Sequence, residues 1–194
     1  MTEIKTLERG NLKVTIYNDD TMESPRAWDN LGTMICFHNR YDLGDKHSFK
    51  GPEDFKQEIK PDKNLIMPLY LYDHSGITIS TSSFNDRFDS GQVGYIYVSY
   101  QDIKKEYKNI SKAALDTAKK VLLSEVETYD QYLTGEIYSY SIEKADICKC
   151  CKHKEFVHID SCSGFYGLGI DNGMLDHVSN KKQNALLLEL LKSI

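Results

Sequence analysis

Between Cys148 and Cys162 the chain reads CKCCKHKEFVHIDSC, which places four of its five cysteines and two of its six histidines within fifteen residues. Thiolate and neutral imidazole are preferred zinc ligands, and a site closed by four protein ligands is structural rather than catalytic. The spacing C-x2-C-x6-H-x3-C selects Cys148, Cys151, His158 and Cys162 as the ligand set. A tight turn can aim the first two sulfurs at one ion, and the other two residues would return on the following strand. Cys150 can replace either neighbouring cysteine, and His153 can replace His158. The segment is therefore expected to hold Zn2+ as a structural ion in a zinc knuckle at about residues 146–163. Thiols that bind nothing and a redox Cys-x-x-Cys are weaker readings. A redox pair would open a helix after a strand, and here the surroundings are rich in lysine. The chain begins without a charged-then-apolar signal segment, which favours reduced thiols and metal over disulfides.

Outside this cluster the chemistry is sparser. Cys36 and His38 lie two apart on an expected strand and would face one side, as a nucleophile and base could; a buried structural thiol is the ordinary outcome for such a cysteine. Asp73-His74-Ser75-Gly76 and Asp89-Ser90-Gly91 offer carboxylates, imidazole and hydroxyls on loops. With His38 and Asp45 they could form a hydrolytic or metal-assisted site, although the same residue types are favoured by turns. Phosphate-cradling glycine loops, dinucleotide fingerprints, nucleophile elbows and His-Glu-x-x-His are all missing from the sequence.

Composition narrows the class. A chain of 194 residues with 40% hydrophobic and 11% aromatic content can build an ordinary core. A net charge of -5 lacks the basic excess of a general nucleic-acid binder. No apolar run reaches membrane-spanning length, so the chain is expected to be cytoplasmic, without a membrane partner. Thirteen tyrosines accompany one tryptophan, many of them in strand-like runs, where tyrosine suits half-buried sheet faces.

The elements that must position these groups follow from periodicity. Alternation predicts strands at 12–17, 33–38, 64–72, 77–82, 93–98, 136–142 and 155–159. Turn residues occupy 18–21. Short helices are expected at 53–59, after Pro52, and from Ser99 to about Tyr107, where Ser99 and Asp102 make a cap. A long helix from about Ser111 to Leu133 carries Leu115, Ala118, Leu122, Val126, Tyr129 and Leu133 at intervals of three and four, and Gly135 stops it. Its start is lysine-rich and its end carries Glu125, Glu127 and Asp130, against the helix dipole; such charges either solvate the outer face or serve a partner. A leucine-rich helix lies within 176–194. The expected fold is one α+β domain over 1–194, mainly antiparallel, with the knuckle at a hairpin tip.

Several phrases carry a resemblance: Ser24-Pro-Arg-Ala-Trp-Asp-Asn-Leu-Gly-Thr-Met-Ile-Cys-Phe-His38, Tyr41-Asp-Leu-Gly-Asp45, Leu71-Tyr-Asp-His-Ser-Gly-Ile-Thr78, Phe88-Asp-Ser-Gly-Gln-Val-Gly94, Glu127-Thr-Tyr-Asp-Gln-Tyr-Leu-Thr-Gly-Glu136 and Asp160-Ser-Cys-Ser-Gly-Phe-Tyr-Gly167. Together they resemble small proteins of phages and prophages of Gram-positive bacteria, and the chain is similar to phage-encoded anti-CRISPR proteins. The resemblance implies a stoichiometric inhibitor that binds the RNA-guided nuclease of a type II CRISPR system and blocks DNA loading or activity. It carries over no catalytic residue. The alternative is a hydrolase or modifying enzyme that acts on a host defence component through His38, Asp73 and His74. Direct nucleic-acid binding through Lys149, Lys152 and Lys154 is not expected, given the acidic remainder of the chain.

Overall fold

A computed structural model describes residues 1–19 and 23–194. It is an α+β fold with strands in two antiparallel sheets. The sequence pattern suggests one domain; the structure separates instead into two compact units, Met1–Glu23 with Gly135–Ile194, and Ser24–Thr134. Each has its own apolar core. The turn expected at 18–21 lies partly outside the described residues. Among the described residues, no helix is long and apolar enough to cross a membrane.

The unit made from the two chain ends holds strands β1 (Thr2–Arg9), β2 (Leu12–Asn18), β7 (Ile137–Ile147) and β8 (Lys154–Tyr166), ordered β1-β2-β7-β8. Val14 and Ile16 on β2 lie beside Ile142 and Tyr140 on β7, and all four are buried. Helix α4 (Lys181–Leu191) lays Leu186, Leu187, Leu190 and Leu191 into this cluster. Asn180 caps its start by accepting from the Lys182 and Gln183 backbone N–H groups. β1 was not legible as a strand: it is an edge strand with an irregularity between Glu3 and Lys5, and Ile4 is exposed. That break destroys the alternation by which a strand is recognised.

The second unit contains β3 (Thr33–Cys36), β4 (Asn64–Asp73), β5 (Ile77–Ser80) and β6 (Ser90–Ser99), ordered β3-β6-β4-β5. Helices α1 (Pro52–Glu58), α2 (Tyr100–Tyr107) and α3 (Lys112–Thr134) complete it. α3 buries Ala114, Ala118, Leu122, Val126 and Tyr129, close to the predicted stripe. Gly94 faces Cys36 across the β3–β6 pair, and a Cβ there would collide with the Ile35 carbonyl oxygen.

The acidic end of α3 serves the fold. Glu125 accepts from the backbone N–H groups of Leu31 (2.8 Å) and Gly32 (3.2 Å) and from the Arg26 guanidinium (3.2 Å). Arg26, whose side chain is only 6% exposed, also donates twice to Asp45, at 2.9 and 2.7 Å. Asp45 further accepts from Met34 N–H at 2.7 Å, and Asp130 from Ile79 N–H at 2.7 Å. Glu125 and Asp130 thus correct the reading of this helix end as solvated or partner-facing; they satisfy backbone donors that other segments bring to α3. Asp45 is likewise taken out of the proposed hydrolytic set. Arg26→Met strips two partly buried carboxylates of their cation and is expected to cost about 3 kcal/mol; urea unfolding of the variant beside the parent chain measures it.

Candidate metal centre

The β7–β8 hairpin positions every residue of the cysteine-rich segment. Its ladder runs from Ile137↔Tyr166 to Ile147↔Lys154, so the tip is residues 148–153. There Cys148 N–H donates to the His153 carbonyl at 2.8 Å, and Lys152 N–H to the Cys148 carbonyl at 3.0 Å. Lys152 adopts a left-handed φ of 60°, which closes the loop on itself. The turn gathers the sulfurs of Cys148, Cys150 and Cys151 within 4.8 Å of one another. All three are free thiols, with Cys150 and Cys151 exposed and Cys148 half-buried. Together they form a possible metal-binding group.

Two of the four expected ligands are here, Cys148 and Cys151, and Cys150 joins them. His158 and Cys162 are elsewhere. His158 pairs with Glu143 and Cys162 with Tyr140. At a rise of about 3.4 Å per residue, these positions lie about 14 and about 24 Å along the strands from the last pair at the tip. They also occupy opposite faces. Cys162 sits beside buried Tyr140 and packs on the core, whereas Glu143 points the other way and pairs with Lys13 at 2.5 Å. The register therefore corrects the Cys148, Cys151, His158, Cys162 set: x6 and x3 spacing along an extended strand spreads ligands that a folded-back loop would have gathered. The hairpin tip, by contrast, is where the cysteine pair was expected.

The sulfurs interact even without an ion. Cys148 and Cys150 Sγ are 2.9 Å apart. The Cys150 thiol donating to Cys148, supported by the Cys151 backbone N–H, pulls the Cys148 pKa down to about 6. The same contact pushes Cys150 up. Cys36 is the opposite case: burial, aided by the charge of Asp45, pushes it up to about 12, which holds it as a neutral buried thiol and argues against a Cys36–His38 nucleophile pair.

The 24–134 unit gathers the other expected residues at one end of its sheet. A cleft of about 370 Å³ is lined by residues leaving β3 (His38, Arg40), ending β4 (Asp73) and entering β6 (Asp89, Ser90, Gln92). His38 Nδ1 accepts from the backbone N–H groups of Arg40 and Tyr41, both at 3.2 Å. The ring stacks on Tyr41. Asp73 accepts from Tyr41 Oη at 3.2 Å and Arg40 at 3.3 Å, and His74 Nδ1 lies 2.9 Å from Asp89. The Ser90 hydroxyl donates to the Asp86 carbonyl. Arg40 and Tyr41 were missed because their partner Asp73 lies more than thirty residues away in sequence, and no local signal joins them.

Comparison with protein-family models, with curated proteins and with solved structures finds no match.

In the reduced, metal-free chain, alkylation of Cys148 by iodoacetamide should rise as pH increases through about 6, while Cys36 stays inert until unfolding. Peptide mapping of the modified chain measures both. A Cys148 half-point at the ordinary thiol value of about 8.5 would contradict the sulfur geometry.

Proposed function

We propose that this chain acts by binding a macromolecular partner stoichiometrically, as an inhibitor of the RNA-guided nuclease of a type II CRISPR system, with Zn2+ stiffening the tip of its β7–β8 hairpin. The observation that carries the binding reading is the far half of that hairpin. Ile147, Val157 and Ile159 are 53%, 49% and 41% exposed, on the outermost strand pair of the sheet. Val157 and Ile159 lie on β8, the edge strand, and exposed apolar side chains on such an edge are the usual material of a docking surface; Ile147, on β7, faces the side opposite Val157. β8 offers a free row of backbone donors and acceptors for strand addition. The sequence resemblance supplies the nuclease as partner. An acidic chain also suits a protein whose nucleic-acid channel is positively charged.

Zinc is supported by the sulfur donor set, since thiolates favour it over magnesium or calcium. Elemental analysis of the purified chain is expected to give about one zinc per molecule.

A second reading is favoured by the cleft lined by His38, Asp73 and Asp89, the last of which is paired with His74. On it the chain is a hydrolase or modifying enzyme that acts on a defence component.

Titration of a type II effector nuclease with the chain separates the two readings. Binding predicts complete inhibition near one equivalent. It also predicts at least tenfold weaker association for the double variant Val157→Asp, Ile159→Asp, with His74→Ala unchanged. Inhibition at a small fraction of an equivalent, abolished by His74→Ala in a folded chain, would reject it for the enzyme.

A further inference from the structure

The hairpin tip has a coordination number that its own chain does not complete. Zinc–sulfur bonds of about 2.3 Å place neighbouring sulfurs of a tetrahedron roughly 3.8 Å apart. The three sulfurs lie within 4.8 Å of one another, and the Cys148–Cys150 pair at 2.9 Å needs to open by about 1 Å to span one tetrahedral face. Among the described residues, no histidine nitrogen or carboxylate oxygen joins them in that group. The ladder register holds His158 and Cys162 far down the strands. Nor are the sulfurs enclosed: Cys150 and Cys151 are exposed.

The geometry points to a three-thiolate zinc site whose fourth coordination position is filled from outside the chain, by a thiolate of another molecule. The inference rests on the zinc reading of this loop, and not on which partner the chain binds. The charge balance admits a thiolate donor. Zn2+ with three thiolates carries one net negative charge, and Lys149 and Lys152 lie within the same loop, so the site tolerates a further anionic sulfur. Before docking, the position holds water. In the exchange the zinc–oxygen bond breaks, a zinc–sulfur bond forms, water leaves, and the incoming thiol's proton goes to solvent. A cysteine on a binding partner would then be captured by the tip, in contrast to a closed zinc knuckle, which has no open position for an incoming ligand.

Cobalt(II) reports this directly, because its sulfur-to-metal charge-transfer band scales with the number of bound thiolates. The full chain is kept reduced with a phosphine and titrated with cobalt, then with 2-mercaptoethanol. The expected result is one cobalt per chain and a band that grows by about one third on thiol addition, from three sulfurs to four. Cys150→Ser should remove about one third of the starting band, while His158→Ala, Cys162→Ser and His153→Ala leave it unchanged. Failure to bind cobalt or zinc at all would overturn the zinc reading itself. A bound metal that ignores added thiol, or whose spectrum changes in the His153, His158 or Cys162 variants, would leave zinc in place and overturn the open position.

Discussion

The backbone hydrogen-bond ladder between β7 and β8 is the constraint from which the candidate site follows. Eleven residue pairs tie Ile137–Ile147 to Lys154–Tyr166, with irregularities between Tyr138 and Ser139 and between Ile142 and Glu143. A ladder of this length leaves no freedom to fold His158 or Cys162 back toward the turn, since doing so would strip paired backbone groups of their partners. At the second irregularity, Ile159 is the extra residue between Asp160 and His158. The bulge reverses which side chains of β8 face the core, so Cys162 packs inward while His158 shares the face of Glu143. The turn alone is free to collect sulfurs, and it does so with three cysteines that lie within four residues.

Much of the unusual wording of the sequence between Ser24 and Asp45 is accounted for by a second constraint, the burial of Arg26. One guanidinium meets the carboxylates of Asp45 and Glu125, and the backbone N–H groups of Leu31, Gly32 and Met34 share the negative charge. A buried ion pair is tolerated only when its remaining lone pairs are satisfied, and here they are. Gly32 leaves room for this: a Cβ there would press on Leu122 and on the Glu125 carboxylate. Tyr129 adds a further tie from α3, accepting the Gly44 N–H at 2.9 Å. These residues read like a functional motif, yet their work is to fasten a loop to a helix and a sheet.

What remains for function is what the fold leaves over. In one unit that is a solvent-facing hairpin end with three thiols at its turn and apolar side chains behind it. In the other it is a polar cleft whose histidines and aspartates are engaged with neighbours, His38 by backbone N–H groups and Asp73 by Arg40 and Tyr41. The first arrangement presents unsatisfied ligand chemistry to the outside. The second has its hydrogen bonds largely made within the chain.

By itself the sequence determined the local elements, because period-two and period-3.6 patterns reflect which side of a strand or helix must be buried. The strands at 64–72 and 93–98, the α3 stripe and the hairpin bearing the cysteines were all legible in this way, although β6 begins earlier, at Ser90. So was the clustering of sulfur donors at the hairpin, whose ligand chemistry depends on residue type alone. Tertiary structure decided the rest. That Glu125 and Asp130 face inward depends on where Leu31, Gly32 and Ile79 arrive, and helix charge patterns carry no trace of it. That β1 pairs at an edge depends on β2 offering a partner. That Cys150, and neither His158 nor Cys162, sits beside Cys148 and Cys151 was decided by strand register: two residues close in sequence are held far apart when the backbone between them is extended and hydrogen-bonded.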